Sequence, residues 1–158
     1  MTLSISPEID RHFEMDKRRM YEDYDYLNMN YDEIFNAVKK YVKTVLKRER
    51  SGIGLAIGEF DPKIAAYWQL GTNYLVLNGS LLRTIENTVN NPEIMKDYVM
   101  VVVMHEYIHS LGYTDEMTTR HLTYDVFNKV LGSRNEATIM SSKDLWEYFP
   151  QFKMARPL

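Results

Sequence analysis

Within one short stretch the chain places His105, Glu106 and His109, then Gly112 and Asp115. On a helix of 3.6 residues per turn, positions four apart lie about 40° apart around the axis, so His105 and His109 present their imidazoles side by side. Two neutral imidazoles in that arrangement can share one metal ion. Glu106 follows the first histidine directly, where its carboxylate can lie beside the metal and hold a water without being a ligand. The pattern is H-E-x-x-H. The chain has no cysteine, so His, Asp and Glu must supply every ligand, and disulfides and a thiol nucleophile are excluded together.

A helix has to carry this pair, and the sequence marks its ends. Asn91-Pro92-Glu93 is a start signal, with Asn as cap and Pro at the first helical position; from there to Leu111 a helix would run about 20 residues. The run Tyr98-Val-Met-Val-Val-Val-Met104 is strand-like in propensity. A strand, however, would set His105 and His109 about 13 Å apart, too far to chelate one ion. An all-round apolar helix is a buried one, so this element should cross the middle of the domain with its polar end opening into a cleft. Gly112 is placed to end the helix in a left-handed conformation and to turn the chain back toward the metal, which delivers Asp115. Asp115 or Thr114 also has the chemistry to cap a following amphipathic segment, Met117 to Leu131, ended by Gly132.

The remaining chain reads as scaffold. Ser6-Pro7-Glu8 is a helix start, and Tyr21 to Tyr31 interleaves tyrosines with acidic and amide side chains as a connector; Asp23 or Asp25 there could reach a metal as an inhibitory carboxylate. Ile34, Phe35, Val38, Tyr41, Val42, Val45 and Leu46 recur at helical spacing with lysines opposite, and Gly52 lies beyond the end. Residues 53–60, 64–70 and 74–77 read as three short strands of one sheet, separated by turns at Asp61-Pro62 and Gly71-Thr72-Asn73. Asn78-Gly79 then leads into a short helix capped by Ser80. Near the end, Lys143 to Phe149 reads as a short helix stopped by Pro150, with Trp146 and Phe149 docked on the core.

The expected fold is α+β: a small mixed sheet, a buried active-site helix and flanking helices. It forms one domain over residues 1–158, with a helical part at 1–52 and the sheet, metal helix and C-terminal helices at 53–158. A 45% apolar composition suffices for a core, and a net charge of −3 gives no electrostatic case for nucleic acid or an anionic membrane as partner. No stretch reaches membrane-spanning length and the N-terminus has no signal-like pattern, so the expectation is a cytoplasmic protein.

His105-Glu-x-x-His109-x-x-Gly112-x-x-Asp115 resembles the extended zinc motif of metzincin-type metallopeptidases, in the variant with aspartate as third ligand. It also resembles minimal zincin-like domains, the minigluzincins, whose motifs continue in acidic residues after the glycine. Ala137-Thr-Ile-Met140-Ser141 is similar to the Met-turn that lies beneath the metal in metzincins, and Val76 to Leu82 is similar to the strand leading into the metal helix of SprT-like zincins. The tyrosine that some metzincins carry just after that turn has no counterpart.

The resemblance implies Zn2+ held by His105, His109 and Asp115, with Glu116 and His121 as rivals for the third place, and Glu106 as general base. It implies hydrolysis of peptide bonds in a peptide or protein substrate, aligned along an exposed strand edge in 64–70 or 74–77. Two other classes stand beside it. One is a zinc hydrolase of a non-peptide substrate; His109-x-x-Gly112-Tyr113 faintly resembles a ribosome-associated RNA endonuclease motif, without that family's third histidine. The other is a metal-binding interaction module without turnover, which would have no use for Glu106.

Overall fold

The computed structural model describes residues 29–149 apart from positions 62 and 70, and within them the chain is α+β. Readings made at Ser6-Pro7, Asp23, Asp25 and Pro150, and the docking of Trp146, lie outside what is described. Asn30 opens α1 (Tyr31–Leu46) by accepting a hydrogen bond from the Glu33 N–H at 3.0 Å. Asp32 and Glu33 in the first turn and Lys43 in the last complement the helix dipole. The apolar stripe is buried at Ile34, Phe35, Val38 and Val42, and only partly at Tyr41, Val45 and Leu46.

Three strands follow: β1 (Gly54–Gly58), β2 (Ala66–Trp68) and β3 (Tyr74–Asn78). The order is β1-β3-β2, with β1 parallel and β2 antiparallel to β3. β3 is therefore paired on both sides, and β2 is an edge. Alternation divides the strands as period two requires: Leu55, Ile57, Ala66, Trp68, Leu75 and Leu77 join the same apolar cluster as the helices, whereas Ala56, Tyr67 and Val76 form a second cluster with Phe60.

Asn78, fully buried, ends β3 and starts α2 (Gly79–Val89). Its side-chain oxygen accepts from the Ser80 N–H at 3.1 Å, and its Nδ2 donates to the carbonyls of Asp61 (3.0 Å) and Ile64 (2.9 Å). One amide thus caps the helix and ties down the segment entering β2; the cap is Asn78, where the sequence pointed to Ser80.

Asn91 accepts from the N–H groups of Glu93 and Ile94 and opens α3 (Pro92–Ser110), 19 residues long. Every residue from Tyr98 to Ser110 is buried. The surrounding elements are α1, α2, β2, β3 and two later helices, α4 (Glu116–Leu131) and α5 (Glu136–Ser141). Burying a valine or methionine side chain stabilises by about 1.5–3 kcal/mol relative to exposure. The valine-rich run is thus held as a helix by packing on all sides, against its strand propensity.

Residues 137–141, which the sequence likened to a Met-turn, are helical in α5, started by Asn135 accepting from the Ala137 N–H at 2.9 Å. A last short helix, α6 (Leu145–Tyr148), precedes Phe149, which is buried edge-on to Tyr98. Among the described residues no helix is long and apolar enough to cross a membrane.

Candidate metal centre

The last turns of α3 set the imidazoles of His105 and His109 with ring centroids 4.8 Å apart. After Ser110 the helix stops. Leu111 closes it and Gly112 adopts φ +110°, a conformation side chains rarely take although a Cβ there would meet no atom within 4 Å. Residues 113–115 then bring the chain into α4, whose first residue, Glu116, faces the histidines.

The Nε2 atoms of both histidines point at Glu116 Oε1, that of His105 in direct contact and that of His109 at 3.6 Å. His105, His109 and Glu116 offer ligand atoms that all lie within 4.8 Å of one another. Both imidazoles are buried, and among the described residues neither Nε2 has a hydrogen-bond partner other than the Glu116 carboxylate it faces. Buried polar nitrogens are paired almost without exception, so two of them converging on one carboxylate oxygen are what a cation site looks like from its ligands. A His-His-carboxylate donor set is one that zinc accepts, so these residues fit the ion that the resemblance implies.

The tautomer of His109 follows from its other nitrogen. Nδ1 lies 2.7 Å from the Tyr113 carbonyl, which can only accept, so Nδ1 carries the proton and Nε2 keeps its lone pair toward Glu116. Thr119, completely buried, adds a hydroxyl 3.2 Å from the same Nδ1 and 2.9 Å from the carbonyls of Tyr113 and Asp115. Burial pushes the His105 imidazole below its ordinary pKa, against the pull of Glu116. At His109 burial acts in the same sense but is outweighed by Glu116, Glu106 and the Tyr113 carbonyl, which together raise it. Burial would raise Glu116 too; the two imidazoles outweigh it and hold that carboxyl well below the usual carboxylate range. The carboxylate thus faces the histidines ionised, as a ligand must.

Asp115 lies outside this group. Its carboxylate is exposed and accepts from the Thr118 N–H and hydroxyl, both at 2.8 Å, hydrogen bonds that hold its pKa below the ordinary value. It is the N-cap of α4, so of the two roles open to it in the sequence the structure displays the cap, and the neighbour Glu116 takes the place beside the histidines. His121 is exposed, on an outer groove with Met117 and Tyr124. Glu106 is fully buried beside His105 on α3.

A cleft of about 310 Å³ opens beside His105 and Glu116. Its apolar wall is formed by Ala65, Tyr98, Val101, Val102 and Met140. Met140 is thus next to the site even though its segment is helical.

Other contributors carry no local sequence signal. Arg50 donates to the Ser110 carbonyl (2.9 Å) and the Thr72 carbonyl (3.0 Å) and stacks over Trp68. Arg48 donates to the Leu111 carbonyl (2.9 Å) and stacks over Tyr113. Both cations sit on the negative end of α3 and hold the turn that presents the Tyr113 carbonyl to His109.

Set against protein-family models, curated proteins and solved structures, the chain matches none.

Proposed function

We propose that this chain is a zinc-dependent peptidase of zincin type, with His105, His109 and Glu116 as ligands. The observation that carries the reading is the pair of buried Nε2 atoms converging on one carboxylate oxygen, with Glu106 alongside on the same helix. A zinc ion held there would supply Lewis-acid polarisation of a carbonyl and make water acidic enough to deprotonate near neutral pH.

The chain's own residues do the rest. Glu106 takes the proton of the attacking water and returns it to the departing amine, a carboxylate's work as general base and then general acid. Tyr113 and Thr119 fix the His109 ring. β2, one of the two edge strands, is entered through Lys63 and Ala65, which line the same cleft as His105, so an extended peptide adding to that edge would run past the site. The other strand weighed for this role, β3, is interior.

The test is metal content together with cleavage of a peptide library by the zinc-loaded chain. Glu106→Gln should keep one metal per chain and lose hydrolysis, whereas His105→Ala should lose both. Cleavage retained in Glu106→Gln would sink the mechanism, and cleavage of RNA in place of peptides would favour the endonuclease-like alternative.

A further inference from the structure

The charges around the cleft do not balance. Lys63, Arg120 and Lys143 line it together with two acids, Glu116 and Asp144. Glu116 is turned to the histidines. Asp144 accepts from the Glu147 N–H at 2.9 Å, at the start of α6. Among the described residues none of the three cations has an ion-pair partner.

Arg120 is the best placed of them. It follows Glu116 by four residues on α4, so it shares that residue's face and stands about 6 Å further along the axis. It is half-buried, against the exposed Lys63 and Lys143, so a charge contact made by it is less screened by water. The cleft wall also includes Tyr98, two turns before His105 on α3, whose buried hydroxyl has no hydrogen-bond partner among the described residues. A planar guanidinium with apolar walls at its side matches a carboxylate, which it can hold through two parallel N–H···O bonds.

Building on the peptidase reading, we propose that this cleft selects peptides carrying a carboxylate next to the bond held at the metal centre, with Arg120 as its specificity-determining partner. The carboxylate can be a free C-terminus or an aspartyl or glutamyl side chain, with Lys63 and Lys143 adding to the attraction.

The experiment is a binding titration on the zinc-loaded Glu106→Gln chain, in which turnover does not consume the ligand. Acetyl-Ala-Leu-Glu with a free C-terminus is compared with its C-terminal amide, its glutamine counterpart, and the glutamine amide lacking both carboxylates. A charge-assisted contact of this kind corresponds to about tenfold to a hundredfold in affinity. The expected result is a loss of that size in the glutamine amide, with the two single replacements showing which carboxylate is read.

Adding Arg120→Gln should erase the preference, and Arg120→Lys should retain part of it. Equal affinity across the four peptides, or no binding by any of them, would overturn the proposal, as would a preference untouched by Arg120→Gln in a chain that melts like its parent. If Arg120→Gln fails to fold, the peptide series on the arginine-containing chain decides. Cleavage of a peptide library by the chain with Glu106 intact separates the two readings: cleavage without a carboxylate preference would sink this proposal and leave the peptidase standing.

Discussion

Asp115 and Glu116 are neighbours that point to different places, Asp115 to the first turn of α4 and Glu116 to the histidines, and the reason is a matter of one side-chain length and one helix boundary. The residue just outside a helix turns a short polar side chain back onto the free N–H groups of the first turn, which Asp115 does toward Thr118. The first helical residue projects its side chain outward, and the longer Glu116 reaches both imidazoles from there. Glu116→Ala should therefore sharply weaken zinc binding, measured by competition with a chromogenic chelator. Asp115→Ala should leave zinc affinity within about twofold while lowering the melting temperature, and Asp115→Asn should restore the melting temperature because asparagine caps as well. Zinc binding lost in Asp115→Ala with Glu116 intact would contradict the arrangement. One layer out, Thr119→Val removes the hydroxyl beside His109 Nδ1 and should reduce zinc affinity by about tenfold, the lower end of what partners of metal-bound histidines contribute.

At the scale of elements, the metal helix was legible because its signals agree. Asn91-Pro92 marks one end, Gly112 the other, and the spacing of His105 and His109 decides against a strand. The observed helix, Pro92–Ser110, starts at the first mark and ends two residues before the second. Adjacent roles and distant contacts were less legible. Asp115 and Glu116 differ by one position, and a cap and a ligand are both acidic, so spacing alone does not separate them. The 137–141 segment has a methionine at the expected distance, but Asn135 caps it as a helix. Arg48 and Arg50 reach the end of α3 across some 60 residues of chain, a contact that no periodicity reports. Arg50→Ala should destabilise the fold by about 2 kcal/mol in urea denaturation, because charge-assisted hydrogen bonds are lost and the carbonyl of the buried Ser110 loses a donor. Arg50→Lys should recover little of it, since one ammonium cannot span the Ser110 and Thr72 carbonyls while stacking on Trp68. Gly112→Ala should cost about 1–3 kcal/mol from backbone strain alone, the space for its methyl group being open.

For the molecule as a whole, the question is whether an ion at the proposed centre would build the fold or only complete a site within it. In the smallest metal-binding domains the ligands sit in a chain with too little core to fold alone, and chelators unfold them. Here the metal helix is enclosed by α1, α2, α4, α5 and the sheet through side chains that owe nothing to an ion, from Val38 and Phe35 to Leu82, Met95 and Phe127. The proposed ligands come from two helices already joined by a short turn and held by Arg48 and Arg50, so little chain would remain to be ordered if an ion bound. Removing the metal with a chelator should leave the far-ultraviolet circular dichroism and a cooperative melt in place while lowering the melting temperature. Adding zinc back at a hundredfold excess over its dissociation constant should restore about 2.7 kcal/mol. The metal-free chain would carry two buried imidazoles against one carboxylate without their cation, so the loosened part should be confined to the end of α3 and the start of α4. Hydrogen exchange followed by mass spectrometry checks this: faster exchange limited to residues 105–120 is the expected pattern. Global loss of protection on chelation would mean that the ion holds the fold, and the core described here would then be insufficient to explain its stability.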